Sequence, residues 1–555
     1  MSNNNARLLG LIRKESPELL REMLVAAGIS GLASAAILII VNAAEQVTAT
    51  GRVSLMAVRF GVMFGLVAAA YVVSLRVTFN RSAQIFEGMV EKIRTRVLDK
   101  VRHSDLVALE TIGPARIHTF LTQDLLLISN LEGRLSAAVQ AAVLMLFVSI
   151  YIAYLSGFAF LLTVGLSLGG VVIHLRGDRE YRKNVERNNK EEIKFFGLIT
   201  HLFKGFREVK VNQRRSAALA ADLREVSRDL KTLKMETTRL YSDSFIKAQC
   251  FFYCLVALVV FVLPRLVPTD ADVIAKTTMS ILFIIGPLSQ VVGVLPDLSK
   301  ASLAVEHLFS LEAELDQHHK KRRQQRPADA SGPLHGFERI SVDQLEFTYT
   351  SEVTNETFTV GPLSFHVDAG EILMITGGNG SGKTTLLKVL TTLYFPDKGT
   401  IAVDGLPILE EDAQRYREMF SVVFSDFHLF EKLYGFDHPD RVVVDTLLQR
   451  MRLEGKTDVI AGRFTNLALS TGQRKRLALL VTLLEDRPII VLDEWAAEQD
   501  PEFRQFFYEE LLAELKSRNK TIIAISHDDK YFRCADRVIR LEFGRIVSDM
   551  PVARA

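Results

Sequence analysis

Six apolar runs crowd into the first 300 residues of this 555-residue chain, near positions 23–41, 57–75, 135–155, 158–175, 245–263 and 273–295. Each is about 18–23 residues long, enough for a helix to cross ~30 Å of hydrocarbon. In lipid, a backbone can satisfy its own N–H and C=O groups only as a helix or a closed barrel, and continuous apolar runs select the helix. The hydrophobic fraction of 48% is high for a soluble protein, and the excess lies almost wholly in this region. Six buried helices in a soluble core are the poorer reading. The first run is longer than a secretion signal's apolar stretch and follows Glu15, Glu18 and Glu22, so it reads as a retained span. The expectation is an all-α transmembrane domain of six helices over residues 1–315.

The connections orient it. Ser156-Gly157 alone separates the third and fourth runs, a tight turn. Segments 76–134 and 176–239 are long and rich in Lys and Arg, whereas 44–56 and 264–272 hold almost none. The positive-inside bias then puts the N-terminus and both long links in the cytoplasm. The long links keep helical periodicity and would carry helices about 35–40 Å beyond the membrane. Gly113-Pro114 interrupts the first, and the region 197–205 is expected to turn the second. Pro287 and Pro296 favour kinks in the sixth run. Gln140, Lys247, Gln249, Lys276 and Gln290 lie at membrane depth and Asp297 at its edge. Such groups line a cavity or snorkel to the headgroups.

Two further features exclude function classes. Net charge is +2, so nothing in the bulk electrostatics points to nucleic acid. The three cysteines form no extracellular disulfide framework, and Cys250 and Cys254, on one helical face of an apolar run, read as small buried residues. Residues 316–336 form a basic linker in which His318 and His319 lack the carboxylate or thiol company of a metal site.

From 337 to 555 the pattern changes to β-branched runs alternating with helical stretches, as in an α/β nucleotide-binding domain. Residues 372–376 read as a buried strand, and residues 377–384, Gly-Gly-Asn-Gly-Ser-Gly-Lys-Thr, follow as a phosphate loop, with a helix opening at Thr384-Thr385. Backbone N–H groups of Gly377, Asn379, Gly380, Ser381 and Gly382 can wrap phosphates, Lys383 can pair with the β- and γ-phosphates, and Thr384 can ligate Mg²⁺. Downstream, the apolar run 489–492 leads into Asp493-Glu494. Asp493 at the tip of a buried strand is a second metal-site candidate, and Glu494 is placed to polarise the water that attacks the γ-phosphate. His527, ending another β-branched run, can hydrogen-bond in the same region.

With Leu-Ser-Thr-Gly-Gln at 469–473 between these motifs, the chain resembles ABC transporters of the exporter type, with a membrane domain fused to a P-loop ATPase. The resemblance implies that Tyr349 stacks on adenine and that Asp500 contributes to the nucleotide interface. It implies too that Ser470, Gly472 and Gln473 serve the ATP held by a second copy, in a homodimer with two shared sites. The closer resemblance is to bacterial cyclic-peptide exporters, the group that includes exporters of syringomycin-type lipopeptides, a pyoverdine precursor and a lasso-peptide microcin. It is carried by Leu-Asp-Glu-Trp-Ala-Ala-Glu-Gln-Asp-Pro at 492–501 and Ile-Ser-His-Asp-Asp at 525–529. It implies ATP-driven export of a peptidic secondary metabolite across a bacterial inner membrane, with the ATPase cytoplasmic and with periplasmic and outer-membrane export components as further partners. A lipid flippase or multidrug exporter is the first rival; a non-pumping ATP-gated channel or regulator is the second.

Three positions depart from the family's pattern. Ser425 stands where a glutamine is usual, and a serine is too short to span the same gap, which leaves Asp426 as a substitute or an extra water on the metal. Thr471 replaces a glycine of the signature. An acidic glycine-containing loop is absent before it, at 462–466. Trp495, the lone tryptophan, neighbours Glu494, and its fluorescence is expected to respond to ATP-driven closure.

Overall fold

Two units divide the chain, and neither is a continuous segment: Met1–Arg102 with Gly113–Glu314, and His103–Ile112 with Leu315–Ala555. The computed structural model describes residues 8, 10–13, 15, 17–48, 55–266, 271–320, 336–350, 357–436 and 439–552. Most of the linker expected over 316–336 lies outside them, as do parts of the loops at 44–56 and 264–272. The helix Leu295–Lys320 continues into the start of the linker.

In the first unit all six apolar runs fall on long helices: Pro17–Thr48, Leu55–Arg102, Leu125–Leu155, Gly157–Lys204, Gln213–Ala257 and Ala271–Gly293. Among the described residues, five helical stretches are long and apolar enough to cross a membrane. The fourth run is not among them because many of its side chains lie outside the described residues. Leu38, Val148, Ile152, Leu255, Ile281 and Leu288 form a shared core. The apolar window of Leu55–Arg102 is instead 0% buried. Val62, Phe64, Leu66, Val72 and Val73 all point outward. Such a surface is stable against lipid, not water. The same inversion corrects the reading of Cys250 and Cys254. Both are exposed, because in a membrane helix an apolar neighbourhood does not require a protein partner.

Both interruptions of the long links are present. Gly113, at φ 79°, precedes Pro114, which sits in the first turn of the next helix, where its missing N–H costs nothing. The second turn comes at Gly205, the end of the predicted region. The short helix Phe206–Val211 follows, and the Asn212 side chain then accepts from Arg215 N at 3.1 Å to start Gln213–Ala257. Gly157–Lys204 and Gln213–Ala257 pack chiefly on each other.

The second unit is an α/β domain. Its six-stranded sheet runs, in spatial order, Arg545–Pro551, Arg537–Glu542, Ile372–Gly377, Thr521–Ile525, Ile489–Asp493 and Phe420–Val423. All neighbours from Arg537–Glu542 onward are parallel, and only the edge strand Arg545–Pro551 is antiparallel. Period-two alternation divides each strand between two cores. Ile372 and Met374 meet Trp495, Phe503 and Phe507 on one side. Leu373 and Ile375 meet the antiparallel sheet of Arg339–Thr350, Thr357–Asp368 and Lys398–Val403 on the other. Burial on both faces is why these strands read as unbroken apolar runs. It also leaves the C-terminal strand ends as the open edge where ligands bind in such sheets.

Phe507 packs on Trp495 with ring centroids 4.4 Å apart, and both are almost fully buried. Phe507→Ala should destabilise this unit by about 3–5 kcal/mol, read as a lower urea midpoint in tryptophan emission; an unchanged midpoint contradicts this packing.

Candidate nucleotide site

Three parallel strands end at the same edge of the sheet, and one carboxylate oxygen links the segments at their tips. Asp493 Oδ2 accepts from Thr384 Oγ1 at 3.0 Å and from Ser425 Oγ at 3.1 Å. Thr384 follows the strand Ile372–Gly377 by way of the glycine-rich loop, Ser425 follows Phe420–Val423, and Asp493 ends Ile489–Asp493. The other oxygen, Oδ1, is buried with no partner among the described residues. Burial pushes the Asp493 carboxyl above its ordinary range, and the Thr384 and Ser425 hydrogen bonds offset this only in part. The short reach of Ser425 thus has a different consequence from the one expected. It does not span outward but closes directly on Asp493, and Asp426 is not needed for that contact.

The loop is shaped for close approach. Gly377 sits at φ 150°, and a Cβ there would fall 2.1 Å from the Leu541 carbonyl oxygen. Gly378, Asn379 and Gly380 form an exposed rim, while Ser381 and Lys383 are buried. The Ser381 hydroxyl is buried without a partner. Lys383 Nζ donates to the carbonyl oxygens of Gly377 and Gly378, both at 3.0 Å. Its pKa is lowered by burial, against the pull of Glu494 and Asp493. Thr385 continues the helix Lys383–Leu390. A buried orphan hydroxyl and a buried cation bonded only to carbonyls suit an anion. The orphan oxygen of Asp493 beside Thr384 suits a divalent cation.

Glu494 adopts a left-handed backbone conformation, φ 49°, directly after the strand. Its Oε1 lies 3.2 Å from His527 Nε2 and 4.0 Å from Lys383 Nζ, and its carbonyl oxygen accepts from Lys475 Nζ at 2.9 Å. The strained turn sends the next residue the other way. Trp495 is 1% exposed and donates Nε1–H to the Lys475 carbonyl at 2.8 Å, so its indole lies in the core and not in the nucleotide cleft.

The remaining predicted residues stand apart from this cluster. Ser470 and Gln473 close a capping box at the start of Thr471–Glu485, each side chain accepting from the other's backbone N–H. Gly472 runs so close to the Glu498 carbonyl oxygen that a Cβ would fall 2.8 Å from it. Asp500 caps the helix Pro501–Phe506 through Phe503 N at 2.9 Å and pairs with Arg476. No hydrogen bond among the described residues joins these groups to the phosphate loop. Tyr349 is half-exposed and pairs across the strands with Phe358, whose ring lies against Gly382.

The break at Gly113-Pro114 marks a transverse segment suited to touch an ATPase, and the individual contact residues are what sequence does not name: the short helix Leu106–Ile112 just before it, flanked in sequence by membrane helices, belongs to this unit. Leu106 and Val107 pack on its core. Glu110 accepts from Lys388 Nζ at 3.0 Å and from the Tyr394 hydroxyl. Tyr394 stacks on Phe347 at 4.8 Å. Burial and the Glu110 carboxylate push its pKa up to about 12. Lys388 lies on the helix that begins at Lys383, so Glu110 touches the element that carries the phosphate loop. Residues so far apart carry no mutual signal in sequence.

Comparisons with known proteins agree with this architecture. A family model described as "ABC transporter" matches residues 360–497. The chain is 34% identical over 548 residues to "ATP-binding protein SyrD" of Pseudomonas syringae pv. syringae, covering 95% of this chain and 93% of that protein. It is 26% identical over 447 residues to an "ATP-dependent lipid A-core flippase" of Alkalilimnicola ehrlichii, covering 75% and 72%. Its fold is similar, at a TM-score of 0.74 and 17% identity, to a solved bacterial Atm1-family ABC exporter with ATP bound, over 97% of this chain and 95% of that one.

The raised pKa of Asp493 sets a stability slope with a definite sign. Below its unfolded value the carboxyl is neutral in both states and costs nothing. Above its folded value the buried charge costs in full, so this group lowers stability as pH rises. Asp493→Asn should remove that slope, raise the nucleotide-free melting temperature at neutral pH by about 2–4 °C and abolish stabilisation by Mg-ATP. Parallel pH profiles for the two proteins in differential scanning fluorimetry contradict this.

Proposed function

The chain belongs to the ABC transporter family and is an exporter that couples ATP hydrolysis to transport, and from that premise we propose a homodimer in a bacterial inner membrane. It moves a peptidic secondary metabolite, such as a siderophore precursor, cyclic peptide or lipopeptide, from cytoplasm to periplasm. The observation that carries the cargo class is the run 492–501 with its Glu-Trp-Ala-Ala core, on which the chain resembles cyclic-peptide exporters. The end-to-end match to SyrD is in keeping with it. A lipid flippase is the second reading, favoured by the lipid A-core flippase relatives, which cover less of the chain.

Two surfaces left open in one chain support pairing. Phe203, Phe206 and Val211 around the short helix are 72%, 55% and 89% exposed. His428, Phe430 and Tyr434 form an edge-to-face aromatic ladder, centroids 5.0 and 5.7 Å apart, beside Ser425 in sequence. The signature residues support it as well, since their hydrogen bonds in one chain are internal caps. Ser470 and Gly472 of the partner subunit then close over the nucleotide on this chain's phosphate loop.

In this reading Lys383, Ser381 and the loop N–H groups hold the phosphates. Thr384 and Asp493 hold Mg²⁺, whose chemistry is to neutralise charge on the β- and γ-phosphate oxygens. Ser425 keeps Asp493 aimed. Glu494 orients the attacking water and His527 fixes Glu494 through its Oε1. ATP favours the closed pair, and hydrolysis returns it. Glu110 carries the movement of the phosphate-loop helix to the membrane helices, through Lys388 and Tyr394, where the family's glutamine is missing.

Glu494→Gln should cut ATP hydrolysis at least about a hundredfold while ATP binding persists. Glu110→Ala should preserve hydrolysis within about threefold but lower transport into inverted vesicles about tenfold. Full transport by the Glu110→Ala protein refutes the coupling route. Comparing metabolites of cells with and without the gene tests the cargo: a peptidic compound retained in the cytoplasm supports the reading, and a lipid retained in the inner leaflet supports the rival.

A further inference from the structure

The first unit contains a cavity of about 690 Å³ that no sequence motif marks. That size falls in the range of about 300–1,000 Å³ that holds drug-sized molecules. Its wall begins at Arg134 and Asp297, each at the end of an apolar run, and continues along the helical extensions beyond them. Four long helical segments contribute. A neighbouring cavity of about 370 Å³ shares Leu127, Arg134, Asp297 and Lys300. Of the polar residues singled out by sequence at or near membrane depth, only Asp297 lines either one.

The charges in the wall do not balance. Asp297 pairs with Arg134 at 2.6 Å, Asp124 with His307 at 2.9 Å and Glu192 with Lys234 at 3.3 Å. Every lining carboxylate thus has a cation. Lys300 is left over, half-buried at the junction of the two cavities, with no ion pair among the described residues. A second group is also unmatched. Asn188 is 8% exposed; its Nδ2 donates to Thr237 Oγ1 at 2.9 Å, but its Oδ1 is buried with no partner. A buried acceptor without a donor is costly unless a ligand supplies one. Leu126, Ile193 and Phe196 add an apolar strip.

We infer that this cavity is a loading site for a carboxylate-bearing, peptide-like small molecule. Lys300 takes its carboxylate, Asn188 Oδ1 accepts an amide N–H, and the strip takes an apolar side chain or acyl group. This inference rests on the exporter reading and adds to it the charge of the cargo and its first contacts. A donor-seeking amide oxygen near a free cation matches peptide chemistry. A lipid phosphate would use the cation and leave the amide oxygen unmet.

The test uses the full-length protein in lipid nanodiscs and two dansylated tetrapeptides with amidated C-termini, Leu-Asp-Ser-Asp and its amide counterpart Leu-Asn-Ser-Asn, so that only the first carries carboxylates, with binding read by anisotropy without nucleotide. The acidic probe should bind the wild type more tightly than the amide one. Lys300→Gln should weaken the acidic probe about tenfold and leave the amide probe unchanged, Lys300→Arg should restore it, and Asn188→Ala should weaken both. Equal affinity of the acidic probe for wild type and Lys300→Gln, or no binding of it at all, overturns the inference. Lys300-dependent binding of phosphatidic acid without tetrapeptide binding overturns it in favour of a lipid headgroup. ATP hydrolysis that depends on Glu494 is measured on the same samples. Hydrolysis without probe binding sinks this inference alone, and probe binding without hydrolysis sinks the exporter reading.

Discussion

Asp493 carries a charge that its own domain does not neutralise. The carboxylate sits at the tip of the central sheet, with one oxygen shared by Thr384 and Ser425 and the other buried and empty-handed. Both faces of the sheet must be packed for that to hold, and the cores on either side do so with alternating residues of the same strands. A buried anion with a free lone pair is a standing cost in the absence of ligand. In the proposed reading that cost would be relieved when nucleotide phosphates and a divalent cation occupy the site together. This is the physical basis on which nucleotide binding can drive a larger change: the domain is built to be incomplete.

The same incompleteness recurs at larger scale. The signature residues cap their own helix and reach no phosphate loop in their own chain. Among the described residues the membrane helices bury at most half of their apolar windows, and one of them none. The cavity in the helical extensions has one cation too many and one acceptor too few donors. In the proposed reading each unmet group takes a different partner: nucleotide, a second copy, lipid and cargo. Glu110 is the exception. Its partners, Lys388 and Tyr394, are both present, and it is the point at which a segment flanked by membrane helices is held by the phosphate-loop helix.

How much of this was legible in the sequence follows from the range of each interaction. The phosphate loop, the Asp493-Glu494 pair and His527 are read from short segments, because phosphate chemistry needs fixed residue types at fixed local spacing. The six spans are legible because lipid imposes a length and a composition. Reading failed where burial rules invert, and adjacency in sequence says little where geometry turns within one residue. Cys250 and Cys254 are exposed, because on a membrane helix an apolar neighbourhood does not require a protein partner. Trp495 follows Glu494 in sequence, yet a left-handed turn sends its indole into the core. Contacts between distant segments, such as Glu110 with Tyr394 or Asn188 with Thr237, leave no trace in composition or period. Ser425 falls between: its departure from the family's pattern was visible, but its contact with Asp493 needed coordinates.

The central claim is that two copies complete each ATP site, and mixed dimers test it most directly. Chains carrying Lys383→Ala and chains carrying Ser470→Ala, differently tagged, would be co-purified as heterodimers and compared with heterodimers of wild type and the double variant. If sites are shared across copies, the first pair keeps one intact site and the second keeps none. The account therefore predicts ATP binding, measured by photolabelling with an azido-ATP analogue, in the first pair and its near loss in the second. Equal labelling of the two pairs would contradict it.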